Sequence, residues 1–473
     1  MLVACVSGIA GVIRLVGVTS TTSVFDEGYY ASDACLFALG PGTPCHDVGA
    51  AQLAPHPPLG MSIIGFGIRL FGYRPGGWRV TALVAGTLTV VLVYVLAKVL
   101  LRSTLGATLA SGALAIDFLH FVHSRLAMLD VFLTLFGVAT VLALVLDRDH
   151  IGRPRRRRWA ARPWRLVAGA MAGTAVATKW PGLAFLICTL VLAVAWEVRS
   201  RDPGPGRFMG TMRDEGSSML VCLVFVPALV YVLSYVGWID GSILAWPWSE
   251  GSWIRSFLAE QTRMLRFHDG LDVDHFYASP PWSWPLLKRP IVYFYEPSGQ
   301  GYRIILALGN PVVWWVSMVS VAWMAGAWAR RRGGSEGAVL CAFAFVWVPW
   351  FAVDVVRSPL FLFYLMPAVP FMAIAVGWAA IRVSDTRAGR AVIAAFGIGA
   401  IALFAYYYPV LVASPLSVAQ WRDRVLFADC DLAGLTLDDI DLGPKIETPV
   451  DAPGPYPEAL LRLGAPPQGW CWI

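Results

Sequence analysis

About eleven apolar segments recur along the chain, most of them near the roughly 20 residues with which a helix crosses a bilayer and several of them shorter. Hydrophobic residues make up 57% of the 473 positions and charged residues only 14%, whereas an ordinary soluble domain has about 25% charged residues. These values exclude a soluble globule, a collagen, a disordered chain and a small disulfide-rich scaffold. The sequence therefore predicts an all-α integral membrane protein with the spans Leu2–Val18, Trp78–Leu101, Leu105–Val122, Ala127–Leu146, Leu166–Ala177, Gly182–Trp196, Ser218–Gly237, Pro311–Trp328, Ala338–Val356, Leu360–Ile381 and Ala391–Val412.

Arginines are concentrated in alternate loops between these spans. The loops of one parity carry Arg148, Arg153, Arg155, Arg156, Arg157, Arg158, Arg162, Arg165, Arg199, Arg201, Arg207, Arg213, Arg330, Arg331, Arg332, Arg382, Arg387 and Arg390. Because basic loops remain in the cytoplasm, the pattern predicts a cytoplasmic N-terminus, and it explains the net charge of +6 without a nucleic-acid partner. We expect a transmembrane domain over 1–413 in the cell membrane, with outer loops 19–77 and 238–309 that bear short interfacial helices, and an extracytoplasmic tail over 414–473.

Two pairs of cysteines fall in the segments predicted to lie outside. Cys35 and Cys45 share the first outer loop, and Cys430 and Cys471 share the tail. Because disulfides form in oxidising compartments, each pair is a candidate bridge. No spacing of cysteine and histidine resembles a zinc site, so we predict no metal centre.

Adjacent carboxylates, Asp26 and Glu27, follow the first span. Neighbouring residues on a helix or strand do not face each other, so the pair suits one base and one binding or orienting group better than a two-carboxylate glycosidase site. A solvated acidic turn is the alternative. Further along the same loop, His56 is held extended by Pro57, and it could bind a phosphate or a peptide or be a structural loop histidine.

Ionisable residues also cluster at the outer junction of the third and fourth spans. Asp117, His120 and Ser124 recur at helical spacing, and Arg125 and Asp130 follow. Ionisable groups at membrane depth are functional candidates, and the planar fork of an arginine can grip a phosphate. The alternative is an internal ion pair of Arg125 with Asp117 or Asp130 that holds the two spans together.

Lys179 and Trp180 form a tight outward turn between two later spans. This lysine could neutralise a lipid phosphate, or it could be a snorkelling lysine beside an interfacial tryptophan. The second outer loop carries an aromatic and proline-rich stretch with Trp284 and Arg289. Such a stretch could lie in the interface, stack on a sugar or shape a lipid groove, and the sequence leaves these alternatives open.

Seven of these segments, taken in order, resemble the bacterial form of the protein O-mannosyltransferase family. They are Phe25-Asp26-Glu27, His56-Pro57-Pro58-Leu59-Gly60, Gly77-Trp78-Arg79, Ser124-Arg125 with Met128-Leu129-Asp130, Lys179-Trp180-Pro181-Gly182, Ser283-Trp284-Pro285-Leu286 with Arg289-Pro290, and Gly309-Asn310-Pro311. The resemblance covers residues from about 20 to 410 in order and spacing. It departs from the family pattern at Met61, where the family usually has lysine.

The resemblance implies a glycosyltransferase of the multispan GT-C type with its active site on the outer face. Such an enzyme moves mannose from a polyprenyl-phosphate carrier to Ser or Thr hydroxyls of exported proteins, beside the export machinery. We expect Asp26 to be the single base, because the phosphate leaves without a protonated acid. Attack on the side opposite the phosphate is expected to invert the sugar. Glu27 is then expected to hold the acceptor.

The remaining site residues are expected to serve the donor. Arg125, Lys179 and His56 are expected to bind the donor phosphate. Supporting roles are expected for Asp117, His120, Asp130, Trp180, Trp284 and Arg289. No cofactor is firmly implied beyond the lipid-linked sugar. The first alternative is a related transferase that acts on a lipid or cell-wall glycan, and a remote one is a transporter or flippase, which would be expected to show paired broken helices near the midplane.

Overall fold

The computed structural model describes residues 2–40, 45, 55–148, 162–235, 253–271, 275, 277–298, 301–355 and 357–424. Within these ranges the chain is a helical bundle with one small antiparallel sheet. The helices are α1 (Leu2–Leu15), α2 (Glu27–Leu39), α3 (Leu59–Phe71), α4 (Pro75–Leu101), α5 (Thr104–Ala115), α6 (Phe118–His123), α7 (Leu129–Arg148), α8 (Pro163–Thr178), α9 (Leu183–Arg199), α10 (Arg207–Leu220), α11 (Val226–Leu233), α12 (Trp253–Asp269), α13 (Pro311–Arg331), α14 (Gly334–Trp347), α15 (Pro349–Val353), α16 (Val369–Val383), α17 (Arg387–Leu411) and α18 (Val418–Arg422). The strands are β1 (Ile291–Ser298), β2 (Gly301–Ala307) and β3 (Leu416–Ser417).

Eight helical segments in the described part of the chain are long and apolar enough to cross a bilayer, so the predicted multispan membrane protein is confirmed. They are Pro75–Leu101, Leu129–Arg148, Trp180–Arg199, Arg207–Leu233, Pro311–Arg331, Gly334–Val353, Leu362–Val383 and Arg387–Leu411. Helices α1, α3 and α5 are apolar but only 12 to 14 residues long. The predicted count of eleven spans is therefore not confirmed.

The predicted span Leu105–Val122 consists of two helices. Helix α5 ends at Ala115 and α6 begins at Phe118. The Asp117 carboxylate, at the N-cap of α6, accepts a hydrogen bond of 3.0 Å from the backbone N–H of His120. A side-chain oxygen in this position caps a new helix because it satisfies one of the free N–H groups of the first turn.

The expectation of an all-α chain needs correction, because the predicted outer loop over 238–309 contains a β-hairpin. Strand β1 pairs antiparallel with β2, and β2 pairs with β3. The register shifts between Val292 and Phe294, so Tyr293 is an extra residue on β1. Such a bulge bends the strand and redirects a side chain.

The core of the bundle is the segment that contains α16. The most apolar stretch of Leu362–Val383 is 89% buried, whereas that of Arg387–Leu411 is 17% buried. The first segment therefore lies at the centre of the bundle and the second at its periphery. Helix α16 packs on α5 and α13, while α7 packs on α8 and α4. A Cβ on Gly377 would lie 2.3 Å from the carbonyl oxygen of Gly106, so the α16–α5 crossing requires glycine.

Candidate active site

A cavity of about 1110 Å³ lies beside the C-terminal end of α8. Its wall is built from α2, α9, α12, α14, α15 and the segments that connect them. The ionisable side chains on this wall are Asp26, Tyr29, Tyr30, His56, Lys179, Arg263, His268, Arg357 and Tyr364. Of the residues predicted from the sequence to form the site, the structure thus brings Asp26, His56, Lys179 and Trp180 to one cavity.

Asp26 is the one acidic side chain among the described wall residues. It directly precedes α2 and is partly buried, and the Tyr30 hydroxyl donates a long hydrogen bond of 3.5 Å to it. In the described part of the chain no lysine or arginine forms an ion pair with it. Burial raises the pKa of Asp26 to about 6, while Lys179 acts to lower this pKa and Asp130 to raise it.

Lys179 already has a partner. It follows the last residue of α8, and its ammonium donates hydrogen bonds of 3.1 and 3.0 Å to the two carboxylate oxygens of Asp130. Both side chains are buried. The ammonium also lies 5.8 and 5.4 Å from the ring centroids of Phe363 and Tyr364, within the range of cation–π attraction.

Arg357 is a cation on the cavity wall that no sequence motif predicts. None of the ion pairs found among the described residues involves it, whereas Arg263 on the same wall binds Glu260 at 2.7 Å. The sequence contained a signal for Arg357. This residue directly follows the predicted span Ala338–Val356 at the end expected to face outward, where the charge bias predicts few basic residues.

Glu27 faces away from the cavity and is fully buried. The Arg79 guanidinium donates to both of its carboxylate oxygens, at 2.8 Å to Oε1, and the backbone N–H of Ala127 donates to Oε1 at 2.8 Å. Arg79 also donates to the carbonyl oxygens of Val18 and Thr21. The expected contact of Glu27 with an acceptor does not fit this geometry, because its oxygens are occupied inside the protein.

Arg125 does not reach the large cavity, so the structure does not support its expected contact with a donor phosphate. It is 5% exposed, and its guanidinium donates to the backbone carbonyl oxygens of Arg14 and Val16. It also lies 5.3 Å from the ring centroid of Phe121. The alternative is an ion pair of Arg125 with Asp117 or Asp130. It is wrong, because in the described part of the chain no ion pair joins Arg125 to either carboxylate and Asp130 binds Lys179 instead.

Asp117 and His120 form a buried connection between helices. Asp117 accepts hydrogen bonds from the backbone N–H of Asn310 at 3.2 Å and from the Trp314 ring N–H at 2.7 Å. The Arg14 guanidinium lies 3.2 Å from His120 Nδ1. These contacts join α6 to α13 and α1 at a distance from the cavity wall, and they indicate a structural role.

One side of the cavity is aromatic. The His56 ring lies 5.5 Å from that of His268 and 5.9 Å from that of Tyr30, and Trp180 lies 5.8 Å from His268. His268 Nε2 donates to the carbonyl oxygen of Pro55 at 2.9 Å. Burial lowers the pKa of His56 below its usual value and that of His268 to about 4, so both imidazoles are neutral at physiological pH.

Trp284 supports the wall from behind. It is fully buried, and its ring N–H donates to the carbonyl oxygen of Ser279 at 3.0 Å. Its ring contacts those of Trp350 and Tyr364, which line the cavity. Arg289 does not line the cavity.

In the loop after the first predicted span, Cys35 on α2 forms a disulfide with Cys45, with their Cα atoms 5.7 Å apart. The other predicted pair, Cys430 and Cys471, lies outside the described residues. Among the described residues no group of three or more His, Cys, Asp or Glu side chains is arranged to hold a metal ion.

Solved structures share this fold. The Saccharomyces cerevisiae protein O-mannosyltransferase Pmt1–Pmt2 complex bound to the sugar donor superimposes with a TM-score of 0.73 at 15% identity, over 90% of this chain and 92% of that one. ArnT from Cupriavidus metallidurans superimposes with a TM-score of 0.54 at 18% identity, over 86% of this chain and 64% of that one. At these identities the likeness concerns the fold alone.

Sequence relatives identify the family. The family described as dolichyl-phosphate-mannose-protein mannosyltransferase matches residues 76–239, and the C-terminal four-transmembrane region of protein O-mannosyltransferase matches residues 253–429. The polyprenol-phosphate-mannose–protein mannosyltransferase of Mycolicibacterium smegmatis is 30% identical over 89% of this chain and 91% of its own length. That of Corynebacterium glutamicum is 31% identical over 78% and 80%. The resemblance seen in the sequence is thereby confirmed, and the chain belongs to the protein O-mannosyltransferase family of membrane glycosyltransferases.

Proposed function

We propose that this protein transfers mannose from polyprenyl-phosphate-mannose to Ser or Thr hydroxyls of exported polypeptides, with Asp26 as the single base. One observation carries the proposal: a partly buried carboxylate without an ion pair in the described part of the chain faces a cavity of about 1110 Å³ that also contains Lys179 and Arg357. The names of the mycobacterial and corynebacterial relatives support the donor and the protein acceptor.

The donor phosphate is expected to bind between Arg357 and Lys179. Arg357 takes the place expected for Arg125, because Arg357 lies on the cavity wall and Arg125 does not. Lys179 shares its charge with Asp130, so Arg357 supplies the larger attraction. His56, which is neutral, contributes a ring N–H at most.

The lipid chain of the donor is expected to follow the apolar part of the wall. Leu183 and Ile187 of α9 line the cavity and are each 45% exposed, and Phe345 and Val353 line it on the side of α14 and α15. These residues belong to segments that are long and apolar enough to cross a bilayer, so we expect the surface they form to continue into the hydrocarbon region.

The chemistry is a single displacement. The acceptor oxygen attacks the anomeric carbon, its proton passes to an Asp26 carboxylate oxygen, and the bond from the anomeric carbon to the phosphate oxygen breaks. Polyprenyl phosphate leaves, and Arg357 and Lys179 stabilise the charge that it gains. Attack opposite the phosphate inverts the sugar, so a β-linked donor yields an α-mannoside. The raised pKa of Asp26, about 6, makes it a stronger base than an ordinary aspartate.

Glu27 and Arg79 are assigned a positioning role. Their buried ion pair joins the first residue of α2 to α4 and to the segment before α7. Asp26 directly precedes this fixed point, so the pair limits the movement of the base relative to the cavity.

We further propose that the cavity opens on the extracytoplasmic side. The distribution of arginines favours this orientation. The disulfide between Cys35 and Cys45 supports it independently, because it lies next to Leu36 and Phe37 of the cavity wall and disulfides persist in oxidising compartments.

The test uses the purified full-length protein in lipid vesicles. Polyprenyl-phosphate-mannose with a radiolabelled sugar is supplied together with a Ser/Thr-rich peptide, and label is measured in peptide and in lipid. We expect labelled peptide whose label is released by an α-mannosidase and not by a β-mannosidase. Label found only in glycolipid would overturn the protein acceptor and favour the related lipid or glycan transferase.

The matched variants are Asp26→Asn and Asp385→Asn. Asp385 is exposed in the turn between α16 and α17 and does not line the cavity. We expect transfer to be lost in the first variant and retained in the second. Normal transfer by Asp26→Asn would overturn the assignment of the base.

A further inference from the structure

Aromatic rings surround Phe25, the residue directly before Asp26. Phe25 stacks on Tyr293, with the ring centroids 4.5 Å apart and the ring planes inclined by 20°. Phe361 and Phe363 approach the Phe25 ring edge-on, at centroid distances of 6.4 and 6.0 Å. Offset-stacked and edge-to-face arrangements are those that aromatic pairs prefer. We call Phe25, Tyr293, Phe361 and Phe363 the Phe25 clamp.

The backbone of Phe25 has a left-handed conformation. Its φ is +51°, a region that is unfavourable for a residue with a Cβ and that persists where the surroundings fix it. The turn lies immediately before α2, and the two residues that follow point in different directions. Asp26 faces the cavity, and Glu27 is buried against Arg79.

Tyr293 reaches Phe25 because of the bulge in β1. It is the extra residue between Val292 and Phe294, its side chain is buried, and its hydroxyl lies 2.9 Å from His123 Nε2. His123 ends α6, whose start is capped by Asp117. The buried connection around α6, none of whose helical residues lines the cavity, therefore anchors the clamp.

Phe363 connects the clamp to the cation of the cavity. Its ring contacts Phe25 and Tyr293, and the Lys179 ammonium lies 5.8 Å from its centroid. The buried Phe363 ring thus limits the positions of both Phe25 and Lys179.

We propose that the Phe25 clamp positions the Asp26 carboxylate for proton abstraction, so that its four aromatic residues are positioning residues of the transfer reaction. The inference rests on the proposed function, because the clamp carries out no chemical step of its own. The proton still passes from the acceptor hydroxyl to Asp26. A clamp of this kind acts on rate more than on donor binding, since small displacements of a reacting group lower the rate steeply.

The test measures kcat, the KM for the donor and the thermal unfolding midpoint of the full-length protein in lipid vesicles. Phe25→Leu and Tyr293→Leu remove one ring each, and we expect kcat to fall about tenfold or more while the donor KM changes less than twofold. Tyr293→Phe keeps the stack and loses the hydroxyl, so kcat should recover most of this loss. Phe25→Gly adopts a positive φ without strain, so it should fold and still show the low kcat.

The control variant is Trp378→Leu. Trp378 is a buried ring of α16 that packs edge-on against Trp323 and belongs neither to the cavity wall nor to the clamp, so its loss should lower the unfolding midpoint and leave kcat unchanged. If the clamp variants behave like Trp378→Leu, the clamp is only structural and the inference is wrong. If Phe25→Leu does not fold, Phe25→Gly with wild-type kcat is the overturning result.

Asp26→Asn is measured beside these variants. Loss of transfer in Asp26→Asn together with a wild-type kcat in the clamp variants refutes the clamp and leaves the proposed function intact. A wild-type kcat in Asp26→Asn refutes the proposed function itself, whatever the clamp variants do.

Discussion

Helices α7 and α8 have a cluster of charged side chains at each end. At one end Asp130, in the first turn of α7, binds Lys179, which follows α8, and Asp26 and Arg357 lie on the same cavity. We call these four residues the cavity cluster. The 20 residues of α7 place the other end about 30 Å away, at 1.5 Å per residue.

The second cluster, at the far end, is fully paired. Arg165 binds Glu215 at 2.7 Å, Glu197 at 2.8 Å and Asp147 at 3.2 Å, and Arg162 binds Asp147 at 2.7 Å. We call these five residues the arginine cluster. Every carboxylate in it accepts from a guanidinium, and none of its members lines the cavity.

The two clusters show that buried charge in a membrane bundle does not by itself mark a functional site. The arginine cluster holds α7, α8, α9 and α10 together, and each of its charged groups is bound to a group of opposite charge. In the cavity cluster, by contrast, Asp26 and Arg357 have no ion-pair partner in the described part of the chain, and both face open volume. Groups in this situation can act on a ligand.

The largest effect on the transfer rate is expected for Asp26→Asn, a substitution in the cavity cluster. An amide cannot accept the acceptor proton, so we expect the transfer rate to fall on the order of 10² to 10⁴-fold, the range for loss of a general base. The unfolding midpoint should change little, because no lysine or arginine in the described part of the chain loses an ion pair. Rate and thermal unfolding are measured on the same vesicle preparation.

The same substitution in the arginine cluster, Asp147→Asn, should have the opposite profile. It leaves Arg162 and Arg165 short of one partner, and breaking a buried ion pair costs about 3 to 5 kcal/mol of stability. We expect a lower unfolding midpoint and an unchanged kcat per folded molecule. A large loss of kcat with an unchanged midpoint would contradict the structural role of this cluster.

Arg357→Gln tests the second residue of the cavity cluster that lacks an ion pair. Hydrogen bonds to charged groups contribute about 1.5 to 3 kcal/mol, so the KM for the donor should rise about tenfold or more. Arg387→Gln, an exposed site at the start of α17, is the matched control and should leave KM unchanged. An unaltered KM in Arg357→Gln would remove this residue from the donor site.

Local sequence signals predict much of the bundle, but they fail where contacts between distant residues determine the structure. Segments such as Trp78–Leu101 and Ala127–Leu146 were found because hydropathy is a local property, and the structure has α4 and α7 there. The break at Asp117 depends on a capping hydrogen bond, and the β-hairpin depends on pairing between strands, so an apolar run reveals neither.

The same distinction applies to the site. Adjacent residues were expected to point in different directions, and Asp26 indeed faces the cavity while Glu27 is buried. Arg125 was expected beside a phosphate because of its motif, but a motif does not show which way a side chain points, and Arg125 binds backbone carbonyl groups instead. Arg357 belongs to no motif, and only its place at the outer end of a predicted span marked it.

The smallest effect concerns pH and tests why Asp26 differs from the paired carboxylates. Burial without an ion pair raises the pKa of Asp26 to about 6. A general base acts in its ionised form, so kcat/KM should be half-maximal near pH 6 and lower by about tenfold one pH unit below, whereas an ordinary aspartate, with a pKa of about 3.9, would keep full activity there. The donor phosphodiester stays ionised throughout this range, so it contributes no change of its own. Thermal unfolding at each pH identifies any loss of folded protein, and a kcat/KM that stays constant down to pH 5 would show that Asp26 has a partner that the described residues do not include or that it is not the base.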